Sequence, residues 1–164
     1  MHPRSNRGGG FEEGQVSQVR TLVLNANIRM NTKQKGDLAE ANVIVKLMEM
    51  GFIPSKPQTE SCRYDIIADD GETLHKIQVK TGREKNNCVI FNTSDSRPNR
   101  TSNKRKTYSK NEIDCFIVYL PENENFYWVP VEETPNSEMR LRLREMDSPY
   151  SNYENSNWAE EYLI

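Results

Sequence analysis

Residues 63–81 read RYDIIADDGETLHKIQVKT. This stretch decides the fold, because two runs with strand-forming residues, 63–68 and Leu74–Thr81, flank the polar segment 69–73. The segment contains the dipeptide Asp70-Gly71, which is typical of a tight turn between two antiparallel strands. The stretch therefore predicts a β-hairpin.

The hairpin can pair its strands in two registers, which differ in the residue opposite Asp65. A four-residue loop over 70–73 places Asp65 opposite Gln78. A two-residue turn at Asp70-Gly71 places Asp65 opposite Lys76 and diagonal to Gln78. The sequence leaves both registers open.

In either register Asp65, Gln78 and Lys80 share one face of the hairpin, because side chains alternate with a period of two. Ile77 and Val79 then face the core. A carboxylate, an amide oxygen and an ammonium group on one face suit metal-assisted hydrolysis of a phosphodiester, since Mg²⁺ prefers oxygen ligands and polarises phosphoryl oxygens. The alternative interpretation is a surface strand whose polar residues are only solvated.

A long helix is predicted over residues 33–50, with Thr32 as its N-cap and Gly51 ending it. At 100° per residue, one broad sector of this helix is apolar, and we expect it to face the core. Glu40 lies within that sector, where an acid costs several kcal/mol unless it is paired or metal-bound. The apolar members of the sector are Leu38, Ala41, Ile44, Val45, Leu47 and Met48.

Further strands are predicted at 88–93, 114–120 and 126–131, followed by an edge strand in which Met139, Leu141 and Leu143 alternate with arginines. One helix followed by a mixed or antiparallel sheet is an α+β pattern (with an α/β core). We expect a flexible extension over 1–29, a folded domain over 30–145, and a C-terminal tail over 146–164 that packs on this domain.

Charge is unevenly distributed along a chain of 164 residues whose net charge is −2. Residues 80–110 carry nine Lys or Arg against two acids, whereas 111–164 carry three against twelve. This asymmetry indicates a surface that binds a polyanion, or else a solvated basic loop. No run approaches the roughly 20 apolar residues of a membrane span. Three cysteines without a CxxC pair favour a reduced, cytoplasmic setting.

Three sequence elements together resemble the PD-(D/E)XK nuclease superfamily: Lys35-Gly-Asp-Leu-Ala-Glu40 in the helix, Arg63-Tyr-Asp65 opening a strand, and Ile77-Gln-Val-Lys80. More narrowly, the chain is similar to the group I intron-associated, homing-type endonucleases of that superfamily, and more loosely to archaeal Holliday junction resolvases. The resemblance runs from about residue 30 to 143. It implies a restriction-endonuclease-like fold, with a mixed β-sheet and the long N-terminal helix packed on it.

The resemblance also implies the roles of individual residues. Glu40, Asp65, Gln78 and Lys80 would be catalytic, and Asp65, Gln78, Glu40 and the backbone carbonyl of Val79 would bind Mg²⁺ or Mn²⁺. Gln78 stands where most members have an acid. An amide oxygen brings no charge, so we expect a weaker metal site.

We therefore expect a divalent-metal DNA endonuclease, of the homing type, that cuts double-stranded DNA. The alternatives are a resolvase acting on branched DNA, a DNA-binding module with weak or lost catalysis, and an adaptor whose partner docks on 132–164. Cutting both strands needs two sites, so we expect a homodimer or a homotetramer. The residues expected to contact DNA are Lys33, Lys35, Arg63, Arg83, Arg97, Arg100, Lys104, Arg105, Lys106 and Tyr108, and for Arg63 a role as partner of a neighbouring acid is equally open.

Overall fold

A computed structural model describes residues 30–59, 61–95, 106–144 and 156–164 of the chain. The first element is helix α1, Thr32–Glu49. It ends as predicted at Gly51, whose φ of 89° is one that side chains rarely adopt. The amide of Phe52 donates to the carbonyl of Leu47 at 3.0 Å, which caps the last turn and directs the chain back toward the sheet.

The buried face of α1 differs from the predicted one. Ala39, Val43 and Leu47 are buried, at i, i+4 spacing, whereas Val45 and Met48 of the predicted face are exposed. Leu38 and Ala41 are exposed as well, and Ile44 is half-buried. Of the predicted face, Leu47 is buried, and the prediction is wrong for the four exposed residues, because apolar residues occur around most of the helix and hydropathy alone does not select one side.

The predicted hairpin forms with the first of the two registers. Strands β2 (Ile66–Asp69) and β3 (Leu74–Thr81) pair antiparallel, with Asp69 opposite Leu74 and Ile66 opposite Ile77. Ile77 and Val79 are buried, as the alternation predicted. Gly71 has a φ of 92°, and the amides of Glu72 and Thr73 both donate to the carboxylate of Asp70, which stabilises the loop.

Two sheets and the helix form layers. Besides β2 and β3, the described residues form strands β1 (Ile53–Ser55), β4 (Arg83–Lys85), β5 (Cys88–Asn92), β6 (Cys115–Leu120), β7 (Asn125–Pro130) and β8 (Glu138–Arg142). The five-stranded sheet has the order β1-β2-β3-β6-β7, and all its pairs are antiparallel except β3 with β6. A second, antiparallel sheet has the order β4-β5-β8. The α+β architecture, with one helix packed on a mixed sheet, is confirmed.

Strand β6 lies between two hydrophobic cores, and all six of its residues are buried. Cys115, Ile117 and Tyr119 pack with the buried face of α1, while Phe116 and Val118, together with Leu120, pack with β5 and β8. The five-stranded sheet is therefore covered by α1 on one face and by the small sheet on the other. Sequence analysis predicted neither β4 nor the division into two sheets.

The C-terminal residues in the described part pack on the five-stranded sheet. The amide of Trp128 donates to the carbonyl of Tyr162 at 2.7 Å, and the amide of Ile164 donates to that of Phe126 at 3.0 Å. Tyr162 is largely buried. Within the described ranges no helix combines the length and apolarity needed to cross a membrane.

Candidate active site

The carboxylate of Asp65 is held at the start of β2 by the neighbouring strand. Its backbone amide donates to the carbonyl of Ile77 at 2.8 Å, which continues the hairpin pairing. Its Oδ2 accepts a hydrogen bond from the amide of Val79 at 2.8 Å and another from Nε2 of Gln78. Asp65 and Gln78 therefore lie together on one face of the hairpin.

The environment of Asp65 disfavours its negative charge. Burial, assisted by the nearby carboxylate of Glu40, raises the pKa of its carboxyl from 3.8 to about 6. The amide of Val79 and the charges of Lys80 and Lys56 oppose this shift. A partly buried carboxyl whose negative charge is disfavoured, with a second carboxylate nearby, is characteristic of a position that takes up a cation.

Glu40 reaches this site from helix α1. Its carboxylate is half-buried and forms an ion pair with Lys56, in which Nζ lies 2.5 Å from Oε2. Glu40 and Asp65 line the same cleft, of about 420 Å³. The other residues lining this cleft are Lys33, Asp37, Lys56, Pro57, Gln58, Thr59, Cys62 and Tyr64.

Gln78 presents its amide nitrogen, rather than its oxygen, to Asp65. Nε2 donates to Oδ2 of Asp65 and also lies 3.3 Å from the carbonyl oxygen of Val79. To bind a metal there, Gln78 would have to present its amide oxygen instead. This requires a half-turn about the terminal bond of its side chain. Such a half-turn exchanges two atoms of nearly equal size.

Lys80 lies on the same face, between the two sheets. Its Nζ is 5.1 Å from the ring centre of Tyr108 and 5.9 Å from that of Phe116. Burial lowers the pKa of Lys80, while the charges of Asp65 and Asp95 oppose this effect. The ammonium group is therefore held in a partly desolvated position, where its charge acts more strongly than in water.

The donor groups fit a hard divalent cation that keeps several waters. They comprise the carboxylates of Glu40 and Asp65, the carbonyl of Val79 and the amide of Gln78. In the parts of the chain that the structure describes, no three His, Cys, Asp or Glu side chains are grouped to hold a metal. Magnesium needs only one or two carboxylates when waters and phosphate oxygens complete its octahedron.

Arg63 is surrounded by protein acceptors. Its guanidinium donates to Asp95 at 2.8 Å and to the carbonyl of Thr107 at 3.0 Å, and it lies 3.3 Å from Glu112. It also stacks over the ring of Tyr108, 4.1 Å from its centre. Of the two roles open to Arg63 from sequence, pairing with neighbouring acids is the one observed. It thereby links Asp95 with Thr107.

The other residues expected at DNA are spread over the surface. Lys33 lines the cleft, and Lys35 is exposed. Arg83 pairs with Glu138 at 3.0 Å, and Lys106 pairs with Glu112 at 2.8 Å. Arg97, Arg100, Lys104 and Arg105 lie outside the described residues.

Sequence reasoning missed the residue that contacts Glu40. Lys56 lies just beyond β1, and no motif or periodicity in residues 52–59 distinguishes it from other surface lysines. The stacking of Tyr108 beside Lys80 was also missed, because the two residues are far apart in the sequence and only the tertiary structure brings them together.

Comparisons with known proteins show what the chain is similar to. A family model described as PD-(D/E)XK endonuclease matches residues 30–164. A solved bacterial homing endonuclease, I-Ssp6803I, is 30% identical, with a TM-score of 0.66 over 82% of this chain and 89% of that one. The Holliday junction resolvase Hjc of Archaeoglobus fulgidus is 18% identical over 66% of this chain and 84% of that one, with a TM-score of 0.43. No curated protein sequence matches.

Proposed function

Because the chain belongs to the PD-(D/E)XK endonuclease family and has its restriction-endonuclease-like fold, we propose that it is a divalent-metal-dependent DNA endonuclease. The observation that carries this proposal is the cleft in which Glu40 from α1 meets Asp65, bonded in turn to Gln78 and Val79 of β3. Lys80 lies on the same face of β3.

Each residue has a chemical task in this proposal. Glu40 and Asp65, with the carbonyl of Val79 and the amide oxygen of Gln78, would hold Mg²⁺ or Mn²⁺. The bound ion supplies Lewis-acid polarisation of the phosphoryl oxygen and a more acidic water. Lys80 orients the attacking water by hydrogen bonding and offsets the negative charge that develops on the phosphate. Its partly desolvated position strengthens that effect.

The proposed substrate is double-stranded DNA cut at a specific site, as in homing endonucleases. The 30% identity to a bacterial homing endonuclease supports this choice. Lys33 in the cleft and the exposed Lys35 provide positive charge for backbone phosphates, which would make binding salt-dependent. Since each site cuts one strand, we propose a homodimer or a homotetramer, acting in a reduced cytoplasmic setting.

A second candidate is a DNA-binding module that has lost cleavage. The hydrogen bond from Gln78 to Asp65 favours this module, because the amide N–H of Gln78 takes a lone pair of Asp65 Oδ2 that a metal ion would need. In this alternative the hydrogen bond from Gln78 permanently blocks Asp65 as a metal ligand. The fold then serves only to place basic residues on DNA.

Plasmid nicking separates the two candidates. Wild type, Asp65→Ala and Lys80→Ala are incubated with supercoiled DNA in Mg²⁺, Mn²⁺ or EDTA. Asp70→Ala is the matched control, since Asp70 is an exposed aspartate in the loop of the same hairpin. We expect cleavage by wild type and the control only, and only with metal. DNA binding by wild type without cleavage would support the module, and equal cleavage by all four proteins would end the enzyme proposal.

Linear duplexes and four-way junctions then define the substrate. A single cut at one long site on linear duplex DNA supports the homing-type proposal. Cleavage of the junction irrespective of its sequence would contradict it and favour a resolvase.

A further inference from the structure

Lys56 is placed against the candidate metal site by the edge of the main sheet. It directly follows β1, whose last residue, Ser55, pairs with Ile67 of β2. From there its ammonium group reaches into the cleft and lies 2.5 Å from Oε2 of Glu40. The proposed reaction itself does not use this lysine.

The charges in the cleft explain why a lysine lies there. Three carboxylates line it, those of Asp37, Glu40 and Asp65, and two ammonium groups, those of Lys33 and Lys56. Lys56 attracts all three acids but forms its ion pair with Glu40. The lysine therefore neutralises the same carboxylate that a divalent cation would need.

We propose that Lys56 is an internal counter-ion, which pairs with Glu40 when the site lacks a metal and binds a DNA phosphate when a divalent cation takes Glu40. This inference rests on the proposed function. An ammonium group and a divalent cation repel each other at such short range, so both cannot remain against one carboxylate at no cost. The incoming cation displaces Lys56, and no proton or covalent bond needs to change.

The displaced side chain stays in the cleft that would bind the phosphate. The side chain of Lys56 is 53% exposed, whereas that of Glu40 is 24% exposed, so the lysine is the partner with more open space to turn into. A lysine is a compact point charge on a flexible stem and suits a phosphate oxygen. Metal binding and DNA binding would thereby be coupled through one residue.

Calorimetric titration of the full-length protein with Ca²⁺, without DNA, tests the first half of the inference. Lys56→Met removes the counter-ion, and Lys33→Met is the matched control that removes an equal charge from the same cleft. We expect Lys56→Met to bind Ca²⁺ about two- to fivefold more tightly than wild type, as breaking an exposed ion pair would allow. Lys33→Met should increase the affinity for Ca²⁺ by less than this.

Binding of a DNA duplex tests the second half. We expect Lys56→Met to weaken binding at least about threefold more in Ca²⁺ than in EDTA, because only the metal-loaded protein has a free Lys56. Lys56→Arg keeps the charge and should behave as wild type in both titrations. Circular dichroism of each variant establishes that it is folded.

The outcomes separate this inference from the proposed function. If wild type neither binds Ca²⁺ nor cleaves DNA in Mg²⁺, both proposals are wrong, and if it cleaves DNA but binds no Ca²⁺ without DNA, only the counter-ion role is overturned. If wild type binds Ca²⁺ and cleaves DNA in Mg²⁺, but Lys56→Met gains no more affinity than Lys33→Met, only the counter-ion role is overturned. Equal weakening of DNA binding by Lys56→Met in Ca²⁺ and in EDTA would likewise reduce Lys56 to an ordinary phosphate contact.

Discussion

Replacing Asp65 by asparagine should stabilise the metal-free protein at neutral pH, although the residue is proposed to be catalytic. Burial raises the pKa of Asp65 from 3.8 to about 6, so the folded protein retains this proton at pH values where the unfolded chain releases it. The folded state then binds more protons, and stability falls as pH rises through this window. Above pH 6 Asp65 is ionised, and its destabilising effect on the folded state reaches its full size. Asparagine carries no charge and avoids this effect.

The pKa difference sets the size of the effect. At about 1.4 kcal/mol per pKa unit, it corresponds to at most ~3 kcal/mol. Solvent screening at this partly exposed position reduces the gain to ~1–2 kcal/mol. For a domain of this size, that is an increase in Tm of about 3–8 °C.

The assay is thermal unfolding in EDTA at pH 7.5 and at pH 4. We expect Asp65→Asn to unfold at a higher temperature than wild type at pH 7.5, and the gain to shrink as pH falls through 6 toward 4. Asp70→Asn is the matched control in the same hairpin. The hydrogen bond from His75, with those from Thr73 and Glu72, lowers the pKa of Asp70 to about 2, so this variant should lose stability at neutral pH.

Excess Mg²⁺ should reduce or reverse the difference in Tm between Asp65→Asn and wild type, because a cation that binds folded wild type raises its stability. A variant that is less stable than wild type at pH 7.5 in EDTA would refute the reasoning. So would a gain that persists unchanged at pH 4.

Three further variants test other parts of the structure. Lys80→Met should reduce the cleavage rate at least about 100-fold while DNA binding in Ca²⁺ changes only slightly, since the ammonium acts on developing charge; a parallel loss of binding would contradict this. Arg63→Met should lower the free energy of unfolding in urea by ~1–3 kcal/mol, because Asp95 and Glu112 lose their ion pairs with the arginine. Arg63→Lys should not restore this stability, because lysine lacks the planar fork of donors. Gly82→Ala should cost ~1–3 kcal/mol in the same assay, because its Cβ would lie 3.0 Å from Val118 and 3.1 Å from Val89. Unchanged stability of Gly82→Ala would show that β5 and β6 can move apart at this position.

The candidate site was largely predictable because most of it lies on one hairpin. Asp65, Gln78 and Lys80 lie within sixteen residues of sequence, and a period of two places them on one face in either register. Glu40 could be singled out because an acid among apolar helix positions needs a partner. Its actual partner, Lys56, is specified only by where β1 joins the sheet.

Local patterns in the sequence were sufficient for the hairpin, the end of α1 at Gly51 and the buried central strand β6, because alternation and backbone conformation act between near neighbours. The tertiary structure decided which face of α1 is buried, how the strands divide into two sheets, and that the ring of Tyr108 lies beside both Arg63 and Lys80. These features depend on contacts between segments far apart in the chain, above all the parallel pairing of β3 with β6. Such pairings depend on how the layers pack together, and no local pattern in either strand specifies them.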